Sequence, residues 1–201
     1  MASVKDVTNV WKNIREVDLR PIRDAALQPL KVAIVGAPGS GRRTLAGQMR
    51  IDPSRPAMQT QTPLLITDLD GAERAAGADL AILMIDVTST DASREQALAR
   101  AWVDAGRRVV VFLNKIDLFS GGGGLENWST WQTYNVVYAS ANDSQSLLKN
   151  FVPAILELLA ERLMPLARQF PLFRAPVARQ MINETSFSNA GYSLTTGLAG
   201  V

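Results

Sequence analysis

The chain has 201 residues, 47% apolar and 20% charged, with 21 Lys and Arg against 19 Asp and Glu. That composition supports a packed domain and excludes wholesale disorder, and a net charge of +2 argues against a nucleic-acid binder working by bulk charge. Neither cysteine nor histidine occurs, which excludes disulfides, thiolate nucleophiles, Cys- or His-based metal sites and every His-dependent triad.

No signal peptide is visible and no apolar run is long enough to span a bilayer, so a cytoplasmic protein is expected. In chain order, Val7, Val10, Trp11, Ile14 and Val17 recur at helical spacing and predict a helical N-terminal arm over residues 1–29. Residues 31–35 form an apolar strand that runs into Gly36-Ala37-Pro38-Gly39-Ser40-Gly41, and a helix follows over 42–50. Further strands are predicted over 64–67, 80–85, 108–113 and 135–138. Asp91 or Ser93 caps a helix that runs to about Ala105, and Gly121–Gly124 reads as a flexible loop. Leu147, Leu148, Phe151, Val152, Ile155, Leu156 and Leu159 trace one helical stripe, which Pro153 starts or kinks.

Apolar strands alternating with helices predict an α/β fold, with a mostly parallel sheet of about five strands covered on both faces. Ligands bind such sheets at the carboxyl ends of the strands. The loops of interest therefore follow Val35, Thr67, Leu113 and Tyr138. Residues 162–201 differ: Arg162, Arg168, Arg174 and Arg179 precede the first acid, Glu184, and Pro165, Pro171 and Pro176 break the segment into short helices.

Gly36 and Gly41 have the spacing of a phosphate-binding loop, in which backbone N–H groups and a helix N-terminus face phosphate oxygens. The usual Lys and Ser/Thr that follow are here Arg42 and Arg43, with Thr44 one place late. Arg42 keeps a cation, but the Arg43 guanidinium cannot coordinate Mg²⁺ as a hydroxyl does. The loop by itself is equally compatible with an unliganded glycine turn. Asn114-Lys115-Ile116-Asp117 is the sharper signal. The Asp117 carboxylate matches the two donors on the guanine edge, Lys115 covers the base plane and Asn114 ties the loop together. Ser140-Ala141-Asn142 after the next strand presents backbone N–H to the guanine carbonyl.

In this order over about residues 30–161 the motifs, with Asp68-Leu69-Asp70-Gly71 between them, resemble a translation-factor-class GTPase domain, closest to the Era-like branch. The resemblance implies a P-loop GTPase-like three-layer fold, GTP or GDP as ligand, Asp68 as the acid holding Mg²⁺ through water, and Gly71 as a backbone contact to the γ-phosphate. The tail from Arg168 is similar to the start of an uncharacterised domain that follows such modules in membrane-associated bacterial proteins. It implies a truncated second domain over 162–201 and a longer natural protein. The chain departs from the family in three places. The interval from Thr44 to Asp68 is too short for a full switch and an additional strand, so the strand is expected to be missing, with Thr60 or Thr62 standing in for the switch threonine. Ala72, not glutamine, follows Gly71. Either Arg43 replaces part of the Mg²⁺ charge beside the β-phosphate, or Arg42 and Arg43 fill an empty phosphate site by pairing with Asp68 or Asp70.

Two function classes follow. One is a guanine-nucleotide switch or slow GTPase. The other is a pseudo-GTPase acting as an interaction or membrane-tethering module, and no residue is secure in a hydrolytic role. The expected partners are the nucleotide, a protein effector, an anionic inner-membrane surface met by the basic tail, and a second copy of the chain.

Overall fold

The computed structural model describes residue 24 and residues 28–52, 55–59, 64–118 and 128–183. Most of the predicted N-terminal arm, the Gly121–Gly124 loop, Thr60 and Thr62 lie outside the described residues.

Five strands form one sheet: β1 (Val32–Gly36), β4 (Leu65–Thr67), β5 (Leu80–Asp86), β6 (Val109–Asn114) and β7 (Asn135–Tyr138). Their spatial order is β4-β1-β5-β6-β7 and every pairing is parallel, with Ile34 opposite both Ile66 and Ile82. Helix α1 (Arg42–Met49) follows the glycine loop and α2 (Ser93–Asp104) follows β5. This is the predicted α/β architecture, a parallel five-stranded sheet covered on both faces.

The interval after α1 departs from expectation. No additional strand joins the main sheet among the described residues. Instead β2 (Ile51–Asp52) and β3 (Arg55–Gln59) pair antiparallel in a small separate sheet. Pro56 lies within β3, and a residue without an N–H is tolerated in a two-stranded ribbon where it is excluded from a central strand.

Alternation along the buried strands sends successive side chains to opposite faces, and both faces are covered. On one face Ile34, Ile82, Met84, Val110 and Phe112 pack under Leu45 and Met49 of α1, with Phe151, Ile155, Leu166, Phe170 and Phe173. On the other, Val35, Leu83, Val111 and Leu113 pack under Ala99 and Trp102 of α2, Ala72, Ala75 and Trp131. The predicted helix after β7 is not uniform. It runs as α3 (Ser144–Ser146), a π-helical turn (Leu147–Phe151) and α4 (Val152–Leu158). Pro153 cannot donate to the carbonyl four residues back, so the ladder widens just before it, which is the physical form of the expected kink.

The chain continues through α5 (Leu163–Gln169), a short 3-10 turn at Pro171–Phe173, and α6, residues 174–183. Residues 163–177 bring Leu163, Leu166, Phe170, Leu172, Phe173 and Val177 into the same core layer as the sheet. Rings Phe112–Phe151 and Phe151–Phe173 meet edge to face at centroid distances of 5.4 and 5.9 Å. The Gln169 amide also clasps the start of the sheet, donating to Leu30 O at 3.0 Å while its Oε1 accepts from Leu30 N. No helix among the described residues is long and apolar enough to cross a membrane.

Phe173→Ala removes a fully buried ring and should cost about 3–5 kcal/mol in a denaturant titration, the same as Phe151→Ala. An unchanged midpoint for Phe173→Ala would mean that residues after 162 are not part of this cooperative unit.

Candidate functional site

Because all five strands run the same way, the loops after β1, β4, β5, β6 and β7 open at one edge of the sheet. The glycine loop turns there through Gly39 (φ 83°) and Gly41 (φ 95°), a left-handed backbone that disfavours any side chain. A Cβ on Gly41 would also collide with the Asn114 amide. That space is used: Asn114 Nδ2 donates to Ser40 O at 2.8 Å, and Asn114 Oδ1 accepts from Ala141 N at 2.7 Å. A single side chain, 3% exposed, therefore ties the glycine loop, the end of β6 and the loop after β7 together.

Helix α1 begins at Gly41 with no side-chain cap and no acid in its first turn. The N–H groups of Gly39, Gly41, Arg42 and Arg43 have no acceptor among the described residues. Orphan N–H groups at the positive end of a helix favour an anion there. Ser40 is buried and its Oγ has no hydrogen-bond partner among the described residues. Arg42 is half-buried, and Arg43 and Thr44 are exposed.

Lys115 has φ 66°, uncommon for a residue with a side chain and worth about 1–3 kcal/mol of strain. Its ammonium forms an ion pair with Asp86 at the end of β5. Burial by itself would raise the Asp86 pKa. The hydrogen bond from Lys115, those from Thr88 Oγ1 (2.6 Å) and Thr88 N (3.0 Å), and the Lys115 charge outweigh it, holding the carboxyl below its ordinary value. Asp117 follows in a 3-10 turn (Ile116–Leu118), exposed at the rim and without a partner among the described residues.

The loop after β7 is partly engaged within the protein. Ser140 N donates to Ser146 Oγ at 3.0 Å and Ala141 N to Asn114, so of the N–H groups of Ser140, Ala141 and Asn142 the Asn142 one alone lacks an acceptor among the described residues. Near β4, Gly71 N donates to Asp68 Oδ1 at 2.9 Å. The N–H expected to meet a γ-phosphate thus closes a turn onto the acid expected to hold Mg²⁺. Asp70 pairs with Arg94, and neither Arg42 nor Arg43 makes an ion pair among the described residues, so the alternative in which they neutralise Asp68 or Asp70 is not realised. Sequence reasoning missed Asp86 and Arg94. Asp86 closes the apolar run Leu80–Asp86, and an acid at a strand end beside the base loop was the available signal.

A resident Mg²⁺ fits these residues poorly. A guanidinium stands at the hydroxyl's place, Asp68 already accepts from Gly71, and no group of three or more acids gathers among the described residues. A cleft of about 650 Å³ opens here, lined by Arg42, Arg43, Thr67, Asp68, Gly71 and Arg74 among others.

Asn114→Ala would leave the Ser40 carbonyl and the Ala141 N–H unpaired, and about 2–4 kcal/mol of stability should be lost in urea melts. The Lys115–Asp86 pair gives a pH signature. A folded pKa below the ordinary 3.8 adds stability that is present above that value and lost as pH falls through the folded pKa. Lys115→Met should lower the melting temperature at neutral pH, with the gap to wild type closing as pH falls through the folded pKa of Asp86.

No family model and no curated protein matches the chain. Among solved structures it is similar to the FeoB G-domain from Methanococcus jannaschii, at 17% identity over 57% of this chain and 88% of that one, with a TM-score of 0.41. It is also similar to the G domain of the T. maritima FeoB iron transporter, at 18% identity over 66% of this chain and 99% of that one, with a TM-score of 0.43.

Proposed function

We propose that the chain binds a guanine nucleotide, with the phosphates on the glycine loop and the base against Asp117. The observation that carries this reading is the Asn114 bridge, which holds Ser40 of the glycine loop and Ala141 of the loop after β7 to one strand end, while Asp117 has no partner among the described residues and stays exposed at the rim. A strand-to-helix turn without a ligand has no use for such cross-bracing, nor for a run of N–H groups left without acceptors. The Lys115–Asp86 pair, by fixing a strained backbone, aims the following turn and with it the Asp117 carboxylate.

The switch or slow-GTPase reading and the pseudo-GTPase reading differ in turnover. Ala72 is buried and presents no group to orient an attacking water, and the exposed Arg43 removes the hydroxyl that a catalytic metal would use. Both favour binding with little or no hydrolysis. The protein then acts through occupancy of the site, as an interaction module whose effector reads the loop around Asp68–Gly71.

Calorimetry with GDP should give binding that Asp117→Ala weakens by about 10²–10⁴-fold, the loss of two charge-assisted hydrogen bonds. Asp117→Asn should exchange guanine for xanthine preference, since it supplies a donor where the carboxylate offered only acceptors. Equal affinity for guanine and adenine nucleotides in wild type would defeat the reading. Single-turnover phosphate release should be no faster than on the order of 10⁻⁴ s⁻¹, the unassisted rate of a small GTPase.

A further inference from the structure

We propose that Arg42, Arg43 and Arg74 form a guanidinium receptor for the terminal phosphate of a nucleoside triphosphate, in which Arg74 sets the preference for triphosphate over diphosphate and no divalent cation is required. The proposal rests on the guanine-nucleotide reading for the base and the loop, and it adds a residue and a charge mechanism that neither motif contains.

Arg74 lies on the 3-10 helix Ala72–Gly77, just beyond Gly71, and lines the same cleft as Arg42 and Arg43 of α1. Cations thus enter the cleft from two separate elements. None of the three makes an ion pair among the described residues. The lining sets three acids, Asp68, Asp70 and Glu73, against these three arginines, but Asp70 is drawn off by Arg94 from outside the lining, which leaves Asp68, one oxygen of which accepts from Gly71, and Glu73. The three arginines therefore face two remaining carboxylates, and the surplus is positive. Unpaired guanidinium groups converging on a cleft beside orphan backbone N–H groups are the chemistry of a phosphate site, because each offers a planar pair of donors and a permanent charge.

The position of each group assigns its part. The N–H groups of Gly39, Gly41, Arg42 and Arg43 curl around the first phosphates to reach the loop. A phosphate extending past them leaves the loop toward Gly71 and meets Arg74 across the cleft, whereas a diphosphate stops short. Arg43 occupies the place of the metal-binding hydroxyl. A guanidinium there cannot ligate a cation and repels one, while supplying the neutralising charge itself.

The test is calorimetry on the full chain with GDP, a non-hydrolysable GTP analogue and inorganic tripolyphosphate, each in EDTA and in Mg²⁺. Wild-type affinity for the analogue should change by less than about threefold between the two buffers, and the exposed substitution Arg74→Ala should weaken it about tenfold or more while leaving GDP within about twofold. Arg43→Ser should make the analogue's affinity depend on Mg²⁺. Thermal melts of both variants check that the fold is kept. A loss of about tenfold or more in wild type on adding EDTA, or an Arg74→Ala effect equal for both nucleotides, overturns the proposal. Tripolyphosphate separates the two readings. If it binds in EDTA, competes with the analogue and is lost in Arg74→Ala, while Asp117→Ala leaves the analogue's affinity unchanged, the receptor stands and the guanine reading falls. If both nucleotides bind and Arg74→Ala changes neither, the guanine reading stands and the receptor falls.

Discussion

The arrangement at the edge of the sheet depends on one buried amide. Asn114 offers its donor to the glycine loop and its acceptor to the loop after β7, and its own backbone belongs to β6. A carboxylate in its place would set oxygen against the Ser40 carbonyl, and an apolar residue would strand two buried polar groups. Gly41 has no side chain because the amide fills the space where a Cβ would sit. Three segments far apart in sequence thereby keep one mutual geometry.

Around that amide the charges are sorted rather than pooled. Lys115 is committed to Asp86, Arg94 to Asp70, Arg108 to Glu161 and Arg162 to Asp79. Arg42 and Arg43, without an ion pair among the described residues, stand after the glycine loop, where α1 starts with basic residues against its own dipole. Such a helix start is unfavourable in the empty protein and becomes favourable with an anion present. Stability and ligand binding are thus linked through the same few groups.

The sheet strands were legible because each is a short apolar run bounded by glycine or polar residues, and their alternation with helices left a parallel sheet as the economical arrangement. The pairing role of Asn114 was legible as tying, though not its second partner, since a hydrogen bond to Ala141 spans two strands. The β2–β3 ribbon was hidden: prolines in that interval argue against a strand, and only the tolerance of a two-stranded edge admits one. The π turn before Pro153 could be anticipated as a kink but not as a widened ladder. Arg94 escaped because it matters through Asp70, a neighbour brought close by topology, and a linear pattern carries no trace of that.

The Gln169 clasp on Leu30 joins residues 139 apart in the chain, and the ring cluster beside it closes one face of the sheet with residues 163–177. During synthesis the five strands emerge first, with that face covered only by what precedes residue 163, such as Leu45, Met49, Phe151 and Ile155. Chain emerging from a ribosome folds as soon as its contacts are complete, and here completion waits for almost the last described helix. Until then the part of the layer that Leu166, Phe170 and Phe173 complete remains open to any apolar surface nearby. The molecule's most exposed moment is therefore set by the order in which it is made, and the late aromatic residues act as the closure that ends it.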